Sequence, residues 1–257
     1  VHAYRASVTY KKIDSELVYV SPSSKKIIST ESQIYKQSVR SRGIDLKGNQ
    51  VDFFSDQRGE TFSMIDRQSL IDNAASNAVY TEETPTYEPL VQSNKADSGW
   101  NPAAVSALGN TNTALRYFKT AHNRSGFDNK GKPAVSLVNI SDQGADNAYW
   151  DSSLDRMGFG KGGTMLSNVA AALDIVGHEL THAVITYSSN LVYKNQPGAL
   201  NESFADIFGT MIERKNWLIG EDITLSQPAL RNMAQPQTLG HPGHMDDFKN
   251  LSVDNDR

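Results

Sequence analysis

Val176-Gly177-His178-Glu179-Leu180-Thr181-His182-Ala183-Val184 stands inside an apolar run that begins near Asn168. On an α-helix, residues four apart lie on one face about a turn apart, so His178 and His182 can reach a single metal ion. The same spacing puts Leu173, Val176, Leu180, Ala183, Val184 and Tyr187 in a stripe roughly opposite the imidazoles. One side of this helix is expected to pack into a core while the other lines a cleft. Glu179, adjacent to the first imidazole, points near the metal without being forced onto it. The competing reading is an ordinary buried helix carrying two satisfied histidines.

A second stretch, Asn201-Glu202-Ser203-Phe204-Ala205-Asp206-Ile207-Phe208-Gly209, favours the metal. It reads as a helix beginning after a turn at Gln196-Pro197-Gly198. Glu202 can add an oxygen ligand and leave the fourth zinc position open for water, as catalytic zinc requires. Asp206, one turn further on, can accept the second N–H of one ligating histidine and fix its tautomer; Asn201 can do the same for the other. A helical His-Glu-x-x-His supplies two zinc ligands and a general base in metallopeptidases. With Asn201-Glu202-x-x-x-Asp206 following nineteen residues after the second histidine, the sequence resembles the thermolysin family of zinc neutral metallopeptidases. The resemblance implies an α+β, two-lobed fold: a β-rich N-terminal lobe, a central zinc helix and the start of a helical C-terminal lobe. It implies one catalytic Zn²⁺ on His178, His182 and Glu202, with Glu179 as general base.

Composition agrees. The 257 residues are 38% hydrophobic and 21% charged, enough for a sizeable core in one large or two smaller domains. A net charge of −4 without a basic cluster argues against nucleic acid or an anionic membrane as partner. No stretch approaches the length of a membrane span. Cysteine is absent, so neither a disulfide framework nor a thiolate metal site is available, which fits a secreted enzyme. The first residues lack the charged and apolar regions of a signal peptide.

In chain order, residues 3–10, 17–20 and 25–29 read as strands, the last two joined by a turn at Ser21-Pro22-Ser23-Ser24. This hairpin resembles the end of the family's propeptide, and the cleavage junction is expected near Glu31 to Ser38. Ser41 to Gly48 resembles the opening strand and turn of the mature family enzyme, and short strands follow at 50–54, 60–65 and 77–80. Thr81 to Trp100 is a surface loop by composition. Residues 103–121, preceded by Pro102, read as a helix despite Gly109, with His122 on the surface at its end. Ala134 to Ile140 is a strong buried strand. Met157 to Gly163 is expected to be a flexible connection into the central helix. The expected divisions are 1–36, propeptide tail; 37–190, β-rich lobe with the zinc helix; and 191–257, an incomplete helical lobe.

The resemblance assigns further roles. Asn147, Ala148, Tyr149 and Trp150 match the family's edge strand, which can bind an extended peptide through main-chain hydrogen bonds. Tyr193, nine residues before Glu202, matches a tyrosine that donates to the oxyanion of the tetrahedral intermediate. Leu230 and Arg231 match a pocket leucine and an arginine that contacts the substrate carbonyl. Leu166, Val169 and Ile175 match the other pocket walls, implying cleavage on the amino side of large apolar residues by a zinc-activated water. Asp174, Glu213 and Glu221, with Asn216 and the main-chain carbonyl of Leu218, resemble a calcium segment, shorter than thermolysin's and suited to one structural Ca²⁺. Gly240-His241-Pro242-Gly243-His244 is expected to be a surface loop.

Peptide or protein substrates and the chain's own propeptide are the implied partners. The family pattern continues past a segment like Ser252 to Arg257 into a stretch bearing the main oxyanion histidine, a role no residue here takes. Residues 1 to 257 alone are therefore expected to fold poorly or to cleave peptides very slowly. The alternative function is a non-catalytic zinc-binding fragment or precursor acting by association; a different zinc hydrolase such as an amidase would need a cleft without the peptide edge.

Overall fold

The computed structural model describes residues 4–10, 14–20, 27–32, 37–67, 77–82, 87–141 and 144–247. The chain divides into two compact units, Val1–Gln37 and Ser38–Arg257. In the first, β1 (Tyr4–Tyr10), β2 (Asp14–Val20) and β3 (Ile27–Ser32) form an antiparallel sheet in the order β1-β2-β3. β1 and β2 run in register from Tyr4 opposite Val20 to Tyr10 opposite Asp14. The expected turn at Ser21 to Ser24 lies outside the described residues.

The second unit opens with β4 (Gln37–Ile44) and β5 (Gln50–Arg58). The turn between them is fixed by Asp45, whose carboxylate accepts the N–H groups of Lys47 at 2.9 Å and Asn49 at 2.7 Å. β6 (Thr61–Ser63), β7 (Ile65–Asp66), β8 (Asn77–Thr81) and β9 (Gln92–Ser93) follow, and one sheet has the order β4-β5-β6-β9. Helix α1 (Pro102–His122) starts where Asn101 accepts from the N–H groups of Ala103 and Ala104, with proline at the first helical position. It ends where Asn123 turns left-handed at φ 51°. Its buried side carries Leu108, Leu115 and Phe118.

The second sheet sets the site. β10 (Ala134–Ile140), β11 (Ala148–Asp151) and β12 (Arg156–Gly160) join β7 and β8 in the order β11-β12-β10-β8-β7. β10 runs parallel to both neighbours, and β11 lies antiparallel to β12 at the edge. The glycine-rich stretch read as a flexible connection is thus corrected: residues 156–160 are a strand between β10 and β11, with Met157 and Phe159 fully buried. Its glycines make close packing possible, since a Cβ on Gly158 would lie 2.4 Å from the Tyr149 ring and one on Gly160 2.1 Å from the Ala145 carbonyl oxygen.

Two helices complete the frame, α2 (Leu173–Thr186) and α3 (Asn195–Glu213). The start of α3 differs from the expectation, because Gln196-Pro197-Gly198 lies within its first turn. A proline is tolerated there, as the first N–H groups of a helix have no intrahelical acceptor. α2 also differs: residues 174–185 are buried on all sides, the histidine face included, while Tyr187 beyond its end is 40% exposed. α3 covers that face at close range. A Cβ on Gly209 would lie 2.5 Å from the Asp174 carbonyl oxygen, so the two backbones nearly touch. β13 (Leu218–Ile219) and β14 (Arg231–Asn232) form a short antiparallel ribbon. Among the described residues, no helix is long and apolar enough to cross a membrane.

Candidate active site

His178 and His182, one turn apart on α2, face Glu202 from α3, and the ligating atoms of the three converge. The two Nε2 atoms are 3.0 Å apart, and Glu202 oxygens lie 3.5 Å from His178 Nε2 and 3.6 Å from His182 Nε2. Tetrahedral zinc bonds of about 2.0–2.1 Å require ligand separations of about 3.3 Å. The set therefore fits a zinc ion in size as well as in donor type.

The other ring nitrogens fix the tautomers. His178 Nδ1 meets Asp206 Oδ1 at 2.8 Å, and His182 Nδ1 meets Asn201 Oδ1 at 2.7 Å. Both acceptors require the proton on Nδ1, leaving the Nε2 lone pairs facing one another. Asp206 is held in turn by Arg231, which donates to its two oxygens at 2.6 Å each. The sequence reading brought Arg231 to the substrate carbonyl; here its guanidinium also braces the carboxylate behind the first histidine. Without metal, one positive charge belongs between the facing nitrogens. Burial works against that charge on His178, yet the hydrogen bonds to Asp206 and Glu202 outweigh burial and lift its pKa to about 9. Burial and the charge on His178 press His182 down to about 4. Burial alone would raise Glu202, but its contacts with His178 and Tyr193 hold it far below the usual carboxylate range.

Glu179 is 6% exposed and accepts the main-chain N–H of Trp150 in β11. Burial raises its carboxyl to about 7, opposed by the charge on His178 and assisted by that on Glu202. This places a proton acceptor of near-neutral pKa between the metal ligands and the sheet edge.

A cavity of about 780 Å³ runs past these groups. Asn147 to Trp150 form one side; Leu166, Val169, Ile175 and Leu230 line an apolar part, together with Ile223. Tyr193 stands at the cavity beside the ligands, its hydroxyl donating to Glu202 and its ring edge-on to His182 at 5.9 Å. Sequence reasoning missed Ile223 and Asp146. Ile223 carries no local signal, being brought in by the hydrogen bond from Ser167 N to Ile223 O at 2.8 Å.

A second group of carboxylates, Asp174, Glu213 and Glu221, has oxygens within 4.8 Å of one another. Burial, then Asp174 and Glu221, push the Glu213 carboxyl up to about 7, and burial raises Asp174. Asn216 touches this group only through its amide nitrogen, which donates to Glu221 at 2.6 Å, because its oxygen accepts from Leu218 N at 2.5 Å. Lys215 borders the group, 3.2 Å from Glu221. Elsewhere among the described residues, exposed His122 ends α1 against Tyr117 and Phe208, and exposed His244 pairs with Asp246 in a surface loop.

Two imidazoles and a glutamate converge on crossed helices, with a buried carboxylate beside them under an open sheet edge, an arrangement suited to the metal centre of a zinc metallopeptidase. The chain belongs to the thermolysin metallopeptidase family: the catalytic domain of that family matches residues 40–186 and its alpha-helical domain residues 189–257. Bacillolysin of Bacillus amyloliquefaciens is 34% identical over 234 residues, covering 88% of this chain and 44% of that protein. The extracellular elastase of Staphylococcus epidermidis is 41% identical over 147 residues, covering 54% of this chain and 29% of that protein. The precursor of protealysin, a metalloproteinase from Serratia proteamaculans, is similar in structure with a TM-score of 0.61 at 29% identity, over 70% of this chain and 62% of that one. The chain thus spans less than half the length of these two sequence relatives.

Proposed function

We propose that this chain carries the zinc centre and substrate-binding residues of a secreted endopeptidase that cleaves on the amino side of large apolar residues. The observation that carries the reading is the mutual geometry of His178, His182 and Glu202 with Glu179 beside them. His178, His182 and Glu202 would hold a zinc ion, which would supply Lewis acidity toward a carbonyl and a water in the cleft. Glu179, buried beside the ligands and facing the cleft, takes the proton of the attacking water and delivers it to the leaving amine. A substrate adds to the edge of β11 as an extra strand, so most of its side chains go unread. The residue after the scissile bond enters among Leu166, Val169, Ile175 and Leu230. Arg231 meets the substrate carbonyl there, and Tyr193 donates to the oxyanion.

Family membership and the extracellular name of one relative support secretion. The division of the chain between Gln37 and Ser38, at the edge of the expected junction, supports reading residues 1–36 as a propeptide tail, as does the likeness to a protealysin precursor. The lobe boundary near residue 190 agrees with the two family matches. Asp174, Glu213 and Glu221 would hold one structural Ca²⁺, a cation being the simplest neutraliser of three converging carboxylates. The test is to express the full-length gene product, incubate it with a peptide library and map the cleavage sites by mass spectrometry. Cleavage before Leu, Phe or Ile, abolished by a zinc chelator, is expected. Zinc binding without any cleavage would favour instead a precursor acting by association.

A further inference from the structure

Asp146 stands just before the edge strand, and its carboxylate is occupied by main chain from another segment. Oδ2 accepts from Thr164 N at 2.9 Å, from Met165 N at 3.2 Å and from the Thr164 hydroxyl at 3.4 Å, while Oδ1 accepts from Leu166 N at 2.9 Å. Three successive N–H groups turned inward form a concave anion-binding nest, and here the anion is a side chain of the protein. The segment reaches Asp146 because glycines let it lie backbone against backbone. A Cβ on Gly163 would sit 2.6 Å from Asp146 Oδ2, and one on Gly162 2.6 Å from the Ser167 carbonyl carbon. Gly160 N and Gly162 N donate to the carbonyls of Asn147 and Ala145 at 2.9 Å each.

The two segments joined this way form different parts of the cleft. Asn147 to Trp150 offer the main-chain edge; Leu166 is an apolar wall, 6% exposed. The same loop reaches the far wall, since Ser167 N donates to Ile223 O at 2.8 Å and Leu225 N to Met165 O at 3.0 Å. The main-chain bonds of Gly160 and Gly162 hold the start of this segment against the edge, and the Asp146 carboxylate is the side chain that ties its far end, at residues 164–166, to the same edge. No other described side chain bonds to the N–H groups of residues 164–166. The anion is well matched to its cradle: the N–H of Leu166, followed by those of Met165 and Thr164, holds its pKa below the ordinary aspartate value against the effect of burial.

We infer that Asp146 is a positioning residue for substrate selection, locking the pocket wall at Leu166 in register with the peptide-binding edge at Asn147 to Trp150. This rests on the endopeptidase reading given above. The zinc ligands and Glu179 lie on α2 and α3 and are not held by Asp146, so losing the carboxylate should loosen selection without removing the chemistry.

The experiment compares zinc-loaded full-length enzyme with its Asp146→Ala, Asp146→Asn and Gly163→Ala variants on two peptides that differ only in Leu or Ala after the scissile bond. For Asp146→Ala the preference for Leu should shrink about tenfold, the discrimination a methylene-sized fit supplies. The loss should fall in KM for the Leu peptide, with kcat and one zinc per chain retained. Asp146→Asn keeps one acceptor oxygen in place and should recover most of the preference. Gly163→Ala, which leaves the carboxylate intact but displaces it, should reproduce the Ala result and stands in if Asp146→Ala folds poorly. Amide exchange at Thr164 to Leu166, faster in Asp146→Ala than in the parent, checks the lock independently of turnover. An unchanged Leu preference in an active Asp146→Ala enzyme overturns the inference. Absence of cleavage by the parent enzyme would instead overturn the endopeptidase reading, and this role in selection with it.

Discussion

The Nε2 atoms of His178 and His182 face each other at 3.0 Å while both Nδ1 atoms are committed to acceptors, Asp206 and Asn201. Two neutral imidazoles cannot hold that pose without a cation or a shared proton between them. Metal removal should therefore destabilise the zinc helix, and increasingly so as pH rises from 6.5, where the unfolded chain gives up its proton, through about 9, where folded His178 loses its own. One zinc per chain is expected by metal analysis, and His182→Ala combined with Glu202→Ala should abolish it. Stoichiometric zinc in that double variant would remove the proposed site.

Glu179 touches the main chain of β11 and is not a member of the converging ligand trio. Glu179→Gln should keep zinc and lower kcat by about 10²–10⁴, the usual worth of a positioned general base. KM should change little. Turnover near that of the parent in a variant shown to hold zinc would refute the assignment.

How much of this was legible depended on how local the signal was. His178, Glu179 and His182 lie close together on one helix and Asn201, Glu202 and Asp206 on another, so spacing pointed to Asp206 and Asn201 as acceptors for the ligating rings, while which ring takes which acceptor needed the crossing of the two helices. The edge strand at Ala148 came from the likeness of Asn147 to Trp150 to the family's edge strand, not from any periodicity of its own. β12 was not legible, because Gly158 and Gly160 signal a loop unless the Tyr149 ring and the Ala145 carbonyl that demand them are known. Pro197 misled in the same way, a turn former by composition that sits harmlessly among the free N–H groups of a helix start. The role of Asp146 depends on main chain eighteen to twenty residues away, and no side-chain pattern reports it.

Tyr193 donates to Glu202 and lies edge-on to His182, so its hydroxyl is near both ligand and cleft. On the proposed mechanism, Tyr193→Phe removes a single donor to the oxyanion. Loss of about ten- to a hundredfold in kcat, with zinc retained, is expected. A purely structural tyrosine would leave kcat unaltered and shift only the melting temperature.

The acidic trio gives a pH test. The Glu213 carboxyl rises from 4.5 to about 7 in the folded chain. Between those values the folded, calcium-free state holds a proton that the unfolded chain has released, so stability falls as pH rises through this window. Calcium held at the proposed site would replace the proton, and its stabilising effect should therefore grow from pH 5 to pH 8. Melting temperatures with and without calcium across that range check it. Glu213→Gln should flatten the pH dependence; a calcium effect that is largest at pH 5 would contradict the site.

The last prediction separates the frame from the ligands. Glu202 reaches the two imidazoles because α3 crosses α2 with Gly209 against the Asp174 carbonyl, leaving no space for a methyl group. Gly209→Ala must push the helices apart by a fraction of an ångström to about an ångström, since hydrogen-bonded backbone cannot yield as a side chain would. Every ligand and both Nδ1 acceptors remain in the sequence, so a purely chemical view of the site expects zinc affinity to be unchanged. The packing view expects the triangle to open at its Glu202 corner. Loss of supporting geometry around zinc typically weakens binding about 10- to 100-fold, and that is the expected effect. Competition with a chromogenic chelator measures it, with the melting temperature of the zinc-free form recording general destabilisation separately. Unchanged zinc affinity in Gly209→Ala would mean that α3 places Glu202 by some contact other than this crossing.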